Sequence, residues 1–157
     1  MRGLLGELAT GNAGEEVTIT DMEASIEHMS RATVRHVEGM LVVTEPYFRS
    51  LETVGRIAPL ARELGIEHVW VVANKVRGQR DEEIIRSYCA DHGVEVGGIV
   101  SWDEEIQEAD REGRALMDYA PSAPTVASIE RIANLLEREM VGTGGNGSSG
   151  NGRGDQA

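Results

Sequence analysis

His68-Val69-Trp70-Val71-Val72-Ala73 is an almost uninterrupted apolar run, and Gly39-Met40-Leu41-Val42-Val43-Thr44 is another. Both runs are rich in β-branched residues, which is typical of strands that are covered on both faces in a parallel sheet. Residues 94–100 (VEVGGIV) are predicted to form a further strand, although two glycines interrupt them. A shorter and more mixed segment, residues 16–20 (EVTIT), is predicted to be the first strand of the chain.

Amphipathic segments separate these strands. Apolar residues recur at helical spacing in residues 50–64, 81–91, 103–112 and 125–140. We expect Pro59 to kink or split the first of these helices, Gly65 to end it, and Asp103 to be the N-cap of the third. Strands that alternate with helices predict an α/β fold: a mostly parallel sheet with flanking helices and right-handed crossovers.

The chain of 157 residues has the length of one domain. Residues 1–140 are predicted to form one partial α/β domain, with a short helix near Gly3–Ala9. Residues 141–157 are rich in Gly, Ser and Asn, and are predicted to be a disordered tail.

Composition restricts the function. The net charge of −12 opposes binding to phosphate backbones, so no nucleic-acid partner is expected. No apolar run is long enough to span a membrane and no signal peptide is recognisable, so we expect a cytoplasmic protein without a membrane partner. Cys89 is the one cysteine. Together with His92 it provides too few ligands for a closed metal site, so no direct metal ligand is predicted.

The segment Asp21-Met22-Glu23-Ala24-Ser25-Ile26-Glu27-His28 directly follows the first predicted strand. A carboxylate at the carboxyl end of a parallel strand lies where open α/β sheets bind ligands, and in P-loop NTPases such an aspartate holds Mg²⁺. Alternatively, Asp21 only caps the turn into the next helix. The spacing alone does not separate these two readings.

The same segment resembles Asp-Met-Glu-Ala-Gly-Ile-Glu-His, a signature of the CooC-type ATPases that mature carbon monoxide dehydrogenase, at every position but one. Further motifs follow in the order of that family: Thr44-Glu45-Pro46, Arg49-Ser50, residues 72–77 (VANKVR), Asp103 and residues 108–113 (EADREG). By this resemblance, roughly residues 16–140 are identified as the C-terminal portion of a MinD/ParA-like (SIMIBI) P-loop ATPase, closest to the CooC-type nickel-insertion ATPases.

The resemblance implies roles for particular residues. Asp21 would be the Walker B aspartate, which acts on Mg²⁺ through water. The switch II region would comprise Glu23, Ala24, Ser25, Ile26, Glu27 and His28. The nucleotide base would be contacted by Asn74, Lys75, Trp102 and Asp103.

Alternatives remain for these positions. Asn74 and Lys75 also suit an ordinary exit from a strand, and Trp102 either stacks near the purine or, as we prefer, covers apolar surface. Ser25 replaces a family glycine whose amide approaches the γ-phosphate. The proline expected before Asp103 is absent as well.

The 157 residues contain no GxxxxGK[ST] phosphate-binding loop. The resemblance implies ATP or ADP with Mg²⁺ as the cofactor of the intact family protein, and nickel only through the missing N-terminal part. It implies as partners a second copy or that missing half, and a client metalloenzyme such as carbon monoxide dehydrogenase. This chain, a truncated or split ATPase on this view, is not expected to hydrolyse ATP by itself. The alternative is a non-catalytic, nucleotide-free binding or scaffolding domain derived from the same fold.

The predicted sheet also lacks the P-loop strand that the family places beside residues 17–20. Residues 17–20 and 40–43 must therefore pair directly, leave exposed edges, or accept a strand from another chain.

Overall fold

The computed structural model describes residues 18–22 and 37–141. In chain order, its elements are β1 (Gly39–Thr44), α1 (Phe48–Glu63), β2 (His68–Val76), α2 (Gln79–Asp91), β3 (Glu95–Ser101), α3 (Glu104–Arg111), α4 (Leu116–Tyr119) and α5 (Pro124–Leu136). A π-helical segment, Glu137–Val141, continues α5, so Val141 belongs to this helix rather than to the predicted tail. The helix expected near Gly3–Ala9 and the rest of the tail lie outside the described residues.

The described strands form one parallel sheet in the order β1-β2-β3. Helices α1 and α2 cover one face, where Val54 and Ile85 pack with Val71. Helix α5 covers the other face, where Ile132 packs with Val72 and Val100. The neighbouring residues Val71 and Val72 point to opposite faces, as the strand period requires. The predicted α/β fold with a parallel sheet and flanking helices is confirmed.

The predicted first strand is not present in its described part. Thr18, Ile19 and Thr20 have no strand structure, and the Ile19 side chain is 81% exposed. A strand is stable only beside a hydrogen-bonded neighbour, and β2 is the one strand that pairs with β1 among the described residues. The outer edge of β1 is therefore open within residues 18–22 and 37–141.

Pro59 does not split α1, which runs unbroken from Phe48 to Glu63. A proline removes one donor from the helix and leaves the carbonyl four residues earlier without its partner. Pro59 is exposed, so the helix can lose this bond at a solvated surface and continue.

Glycine ends α1 in the predicted place. Gly65 has a φ of +89°, its N–H donates to the carbonyl of Arg62, and the N–H of Ile66 donates to that of Ala61. This is the Schellman arrangement, which satisfies carbonyls that a helix end would otherwise leave open. Gly93 after α2 and Gly113 after α3 repeat it, which explains why each of these helices ends where its apolar period ends.

Candidate functional site

The carboxyl ends of the strands lie side by side. Thr44, the last residue of β1, is the register partner of Ala73 in β2. The N–H of Trp102, just after β3, donates to the carbonyl of Val76 over 2.9 Å. The segments that leave β1, β2 and β3 therefore meet at one edge, the edge where open α/β sheets bind ligands.

A β-bulge at the end of β2 places Asn74 and Lys75. Ala73 pairs with Ile99 and Val76 with Ser101, so β2 carries one residue more than β3 between these pairs. Lys75 has a φ of +56°, and its N–H donates to Oδ1 of Asn74 over 3.0 Å. The left-handed conformation costs a non-glycine residue about 1–2 kcal/mol, so neighbouring contacts must maintain it.

The side chain of Lys75 reaches across to β1. Its Nζ lies 2.7 Å from Oε1 of Glu45, the residue directly after that strand. The N–H of Glu45 donates to Oγ of Ser50 over 3.0 Å, and this hydroxyl is 2.9 Å from the hydroxyl of the buried Thr44. The hydrogen bond that Lys75 donates to Glu45, and then the negative charge of Glu45, raise the pKa of Lys75 and favour the protonated ammonium.

Trp102 contributes to a different feature, an open cleft of about 550 Å³ between the start of α2 and the loop after β3. The Arg77 guanidinium lies over its ring, 4.1 Å from the ring centroid, and the indole is half-buried. Asn74, Lys75 and Asp103 do not line this cleft. Asn74 and Lys75 thus lie outside the cleft that Trp102 lines, and Arg77 already covers one face of the indole.

Asp103 has partners within its own chain. Its Oδ1 accepts the N–H of Glu105 over 3.0 Å, which confirms the predicted N-cap of α3. Its Oδ2 accepts the hydroxyl of the buried Thr125 over 2.8 Å and so links the starts of α3 and α5. Both Asp103 oxygens therefore have hydrogen bonds that stabilise the fold. The contact of Asp103 with a base stays a prediction.

The Mg²⁺ side of the predicted site is described only in part. Asp21 is exposed, in a segment without helix or strand. Residues 23–28, the predicted switch II region, lie outside the described residues. An exposed carboxylate suits contact with Mg²⁺ through water. The Walker B role of Asp21 stays a prediction.

Cys89 and His92 each have contacts of their own within the chain. The thiol is buried, and burial raises its pKa. The His92 ring stacks on Tyr88, and its Nδ1 lies 2.8 Å from the Tyr88 carbonyl oxygen. In residues 18–22 and 37–141, no group of three His, Cys, Asp or Glu side chains could hold a metal ion. No helix within these ranges has both the length and the apolar character to cross a membrane.

Sequence reasoning did not assign roles to Glu45, Ser50 or Arg77. The first two lie in quoted motifs, Thr44-Glu45-Pro46 and Arg49-Ser50. This motif order was a usable signal, but only the register of β1 against β2 brings Glu45 to Lys75. No sequence signal places Arg77 on Trp102.

Comparison with solved structures defines the class of fold. The MinD cell division protein of Aquifex aeolicus superimposes with a TM-score of 0.58 at 16% identity, covering 71% of this chain and 48% of that one. For MinD of Pyrococcus horikoshii, whose structure contains Mg-ADP, the TM-score is 0.55 at 17% identity, covering 69% and 44%. A ParA family ATPase from Chlorobium tepidum gives 0.53 at 22%, covering 71% and 46%. The described residues thus have the MinD-like P-loop NTPase fold.

Sequence relatives narrow the class. An uncharacterized ATP-binding protein of Methanocaldococcus jannaschii is 39% identical over 123 residues, which cover 78% of this chain and 46% of that protein. The carbon monoxide dehydrogenase accessory protein CooC of Rhodospirillum rubrum is 37% identical over 138 residues, covering 88% and 51%. No protein-family model matches. The chain is a partial-length homologue of CooC/MinD-family ATP-binding proteins, and it spans about half the length of the curated relatives it matches.

Proposed function

We propose that this chain is the part of a CooC-type ATPase that binds the nucleotide base and one side of Mg²⁺, with Asn74 on the base and Asp21 on the metal through water. The observation that carries the proposal is the 37% identity to the CooC accessory protein across 88% of this chain. The position of Asn74 at the carboxyl end of β2 supports it, because ligands of open α/β sheets bind at that edge.

The chemistry of Asn74 fits adenine. A carboxamide both donates and accepts, and adenine offers an acceptor nitrogen beside its amino group, so two hydrogen bonds can form together. Guanine carries a carbonyl oxygen in place of that amino group and would oppose Oδ1. The phosphates need a different element, since the 157 residues contain no GxxxxGK[ST] loop.

The cellular role that we infer is supported by the identity to CooC. In the intact assembly, ATP binding would drive association with a second copy or with a separate half that carries the phosphate loop. That switching would deliver nickel, the cargo, to a client such as carbon monoxide dehydrogenase in the cytoplasm. This chain by itself would bind nucleotide weakly and would not hydrolyse it, because phosphoryl transfer depends on charge stabilisation around the phosphates.

Calorimetric titration with Mg-ADP, and with Mg-GDP for comparison, tests the proposal. We expect the chain to bind Mg-ADP with a Kd on the order of 1 mM, a value typical of a few contacts to the base. Asn74→Ala should abolish this binding, whereas Asn134→Ala, on the exposed side of α5, should not change it. Extension by any P-loop segment that the gene encodes upstream should tighten binding strongly. Equal binding of both nucleotides, or no effect of Asn74→Ala, would contradict the proposal.

A nucleotide-free scaffolding domain is the second candidate. It is favoured by the engagement of two predicted base residues within the chain: both Asp103 oxygens accept protein hydrogen bonds, and Arg77 covers a face of Trp102. If the extended protein also fails to bind Mg-ADP in the titration, this candidate replaces the first.

A further inference from the structure

The bulge at the end of β2 combines a strained residue and an ion pair between strand ends. Lys75 is the one non-glycine residue with positive φ in the described part of the chain. Its ion pair with Glu45 links residues 30 positions apart. The ion pairs Arg56–Glu52, Arg86–Glu82 and Arg111–Glu108, by contrast, each lie within one helix.

The peptide unit between Asn74 and Lys75 is hydrogen-bonded to the Asn74 side chain. The N–H of Lys75 donates to Oδ1 of Asn74, and the ψ of Asn74 and the φ of Lys75 together place this N–H within the bulge. That bond uses one lone pair of Oδ1 and fixes which side of the carboxamide carries the NH₂ group. Within residues 37–141 this NH₂ group donates to no protein acceptor. Both N–H bonds of this group and one lone pair of Oδ1 therefore stay available to a ligand.

We propose that Glu45 and Lys75 form a positioning pair: their contact holds the backbone of the bulge, including the N–H that is bonded to the Asn74 carboxamide, and so directs this carboxamide at an adenine edge. The orientation of the carboxamide toward adenine rests on the proposed function. The effect of the Glu45–Lys75 pair on the carboxamide does not. Glu45 is a firm anchor, because its N–H is bonded to Ser50, whose hydroxyl contacts the buried Thr44.

The alternative is an ordinary surface ion pair with no effect on its surroundings. Lys75 is 47% and Glu45 27% exposed in this pair, and such pairs add little to global stability. The two roles differ in their consequences. An ordinary pair can be removed without a response at Asn74, whereas the loss of a positioning pair must alter the Asn74 carboxamide.

Nuclear magnetic resonance of the full ¹⁵N-labelled chain without nucleotide separates the two roles. The Asn74 NH₂ signals are identified by their loss in Asn74→Ala. We expect Glu45→Gln to shift the Asn74 NH₂ and the Lys75 amide signals, and to speed hydrogen exchange at the Lys75 amide about three- to tenfold as its bond to Asn74 opens. Lys75→Met should speed exchange at the amide of residue 75 to a similar extent. The control Glu52→Gln, which removes the ion pair within α1, should leave these signals in place.

The swapped double variant Glu45→Lys with Lys75→Glu should restore the native Asn74 signals, since it restores the attraction between the strand ends. Unchanged Asn74 NH₂ and Lys75 amide signals in Glu45→Gln would overturn the proposal. Because these signals need no ligand, they decide the positioning role even if the chain binds no nucleotide. If it does bind, Glu45→Gln should reduce the preference for Mg-ADP over Mg-GDP about three- to tenfold, and an unchanged preference would refute the link to adenine.

Discussion

Ile132 of α5 lies directly against Gly98 of β3: a Cβ at Gly98 would stand 2.7 Å from Cδ1 of Ile132 and closer still to its Cγ1. The close approach lets α5 pack on the sheet, where Ile132 joins Val72 and Val100 in a small core cluster. The glycine that interrupts the apolar pattern of β3 is thus a position at which helix and sheet approach each other closely.

Gly98→Ala should lower the free energy of unfolding by about 1–3 kcal/mol, because the methyl group overpacks a filled interface. Urea unfolding measures this. Ile132→Ala alone should cost about 2–4 kcal/mol. In the Gly98→Ala background it should cost clearly less, since the smaller side chain relieves the clash. Strictly additive costs would show that the two residues are not coupled.

Gly65→Ala should also destabilise the chain, but for a different reason. No atom lies within 4 Å of a Cβ at this position, so the effect reports only the φ of +89°. We expect a loss of about 1–2 kcal/mol in urea unfolding. Gly65→Asn should lose less, because asparagine tolerates the left-handed region better. Equal losses for Ala and Asn would argue against backbone strain as the cause.

Asp103→Ala should cost about 2 kcal/mol, since it removes the cap of α3 and leaves the buried Thr125 hydroxyl without an acceptor. Thr125→Val should cost about 1 kcal/mol, because Asp103 keeps its capping bond. Thermal unfolding followed by circular dichroism measures both. If Asp103→Ala costs no more than Thr125→Val, the cap contributes nothing measurable.

Cys89 should react slowly in the folded protein. Burial excludes reagents and raises the pKa of the thiol above its ordinary value of 9.0, so little thiolate forms at neutral pH. We expect alkylation by iodoacetamide at about pH 8 to be slower in native buffer than in concentrated urea by on the order of a hundredfold or more. Equal rates under the two conditions would contradict burial of the thiol.

The raised pKa of the Cys89 thiol also predicts how stability depends on pH. The unfolded thiol ionises first as pH rises, because its pKa is lower than that of the folded thiol. The protonated thiol therefore contributes fully to stability below the pKa of Cys89 in the unfolded chain. This contribution is lost as pH rises from that value towards the higher pKa of Cys89 in the folded chain. Cys89→Ala should remove this part of the alkaline decline in urea midpoints. If the stability of Cys89→Ala declines at alkaline pH as much as that of the unchanged chain, other groups cause the decline.

The accuracy of the sequence predictions varied with the range of the interactions involved. The strand at Gly39–Thr44 was predicted to the residue, because an apolar side chain at almost every position is typical of strands in parallel sheets. The shorter and more mixed segment around Ile19 was also predicted to be a strand, but it has no strand structure in its described residues, because a strand requires a partner. The local sequence pattern indicates how far the faces of a strand would be buried, but not whether a neighbouring strand is present to pair with it.

In the candidate site, too, the sequence predicted features set by adjacent residues but not contacts between distant ones. Sequence was sufficient to predict Asn74 and Lys75 at the end of a strand, Asp103 as a cap and Gly65 as a helix stop, since each follows from a few adjacent residues. The contact of Lys75 with Glu45, 30 positions away, and that of Asp103 with Thr125, 22 positions away, required the folded chain. Such pairs depend on strand register and on where the crossovers return, and these are set by packing of the whole sheet rather than by local spacing.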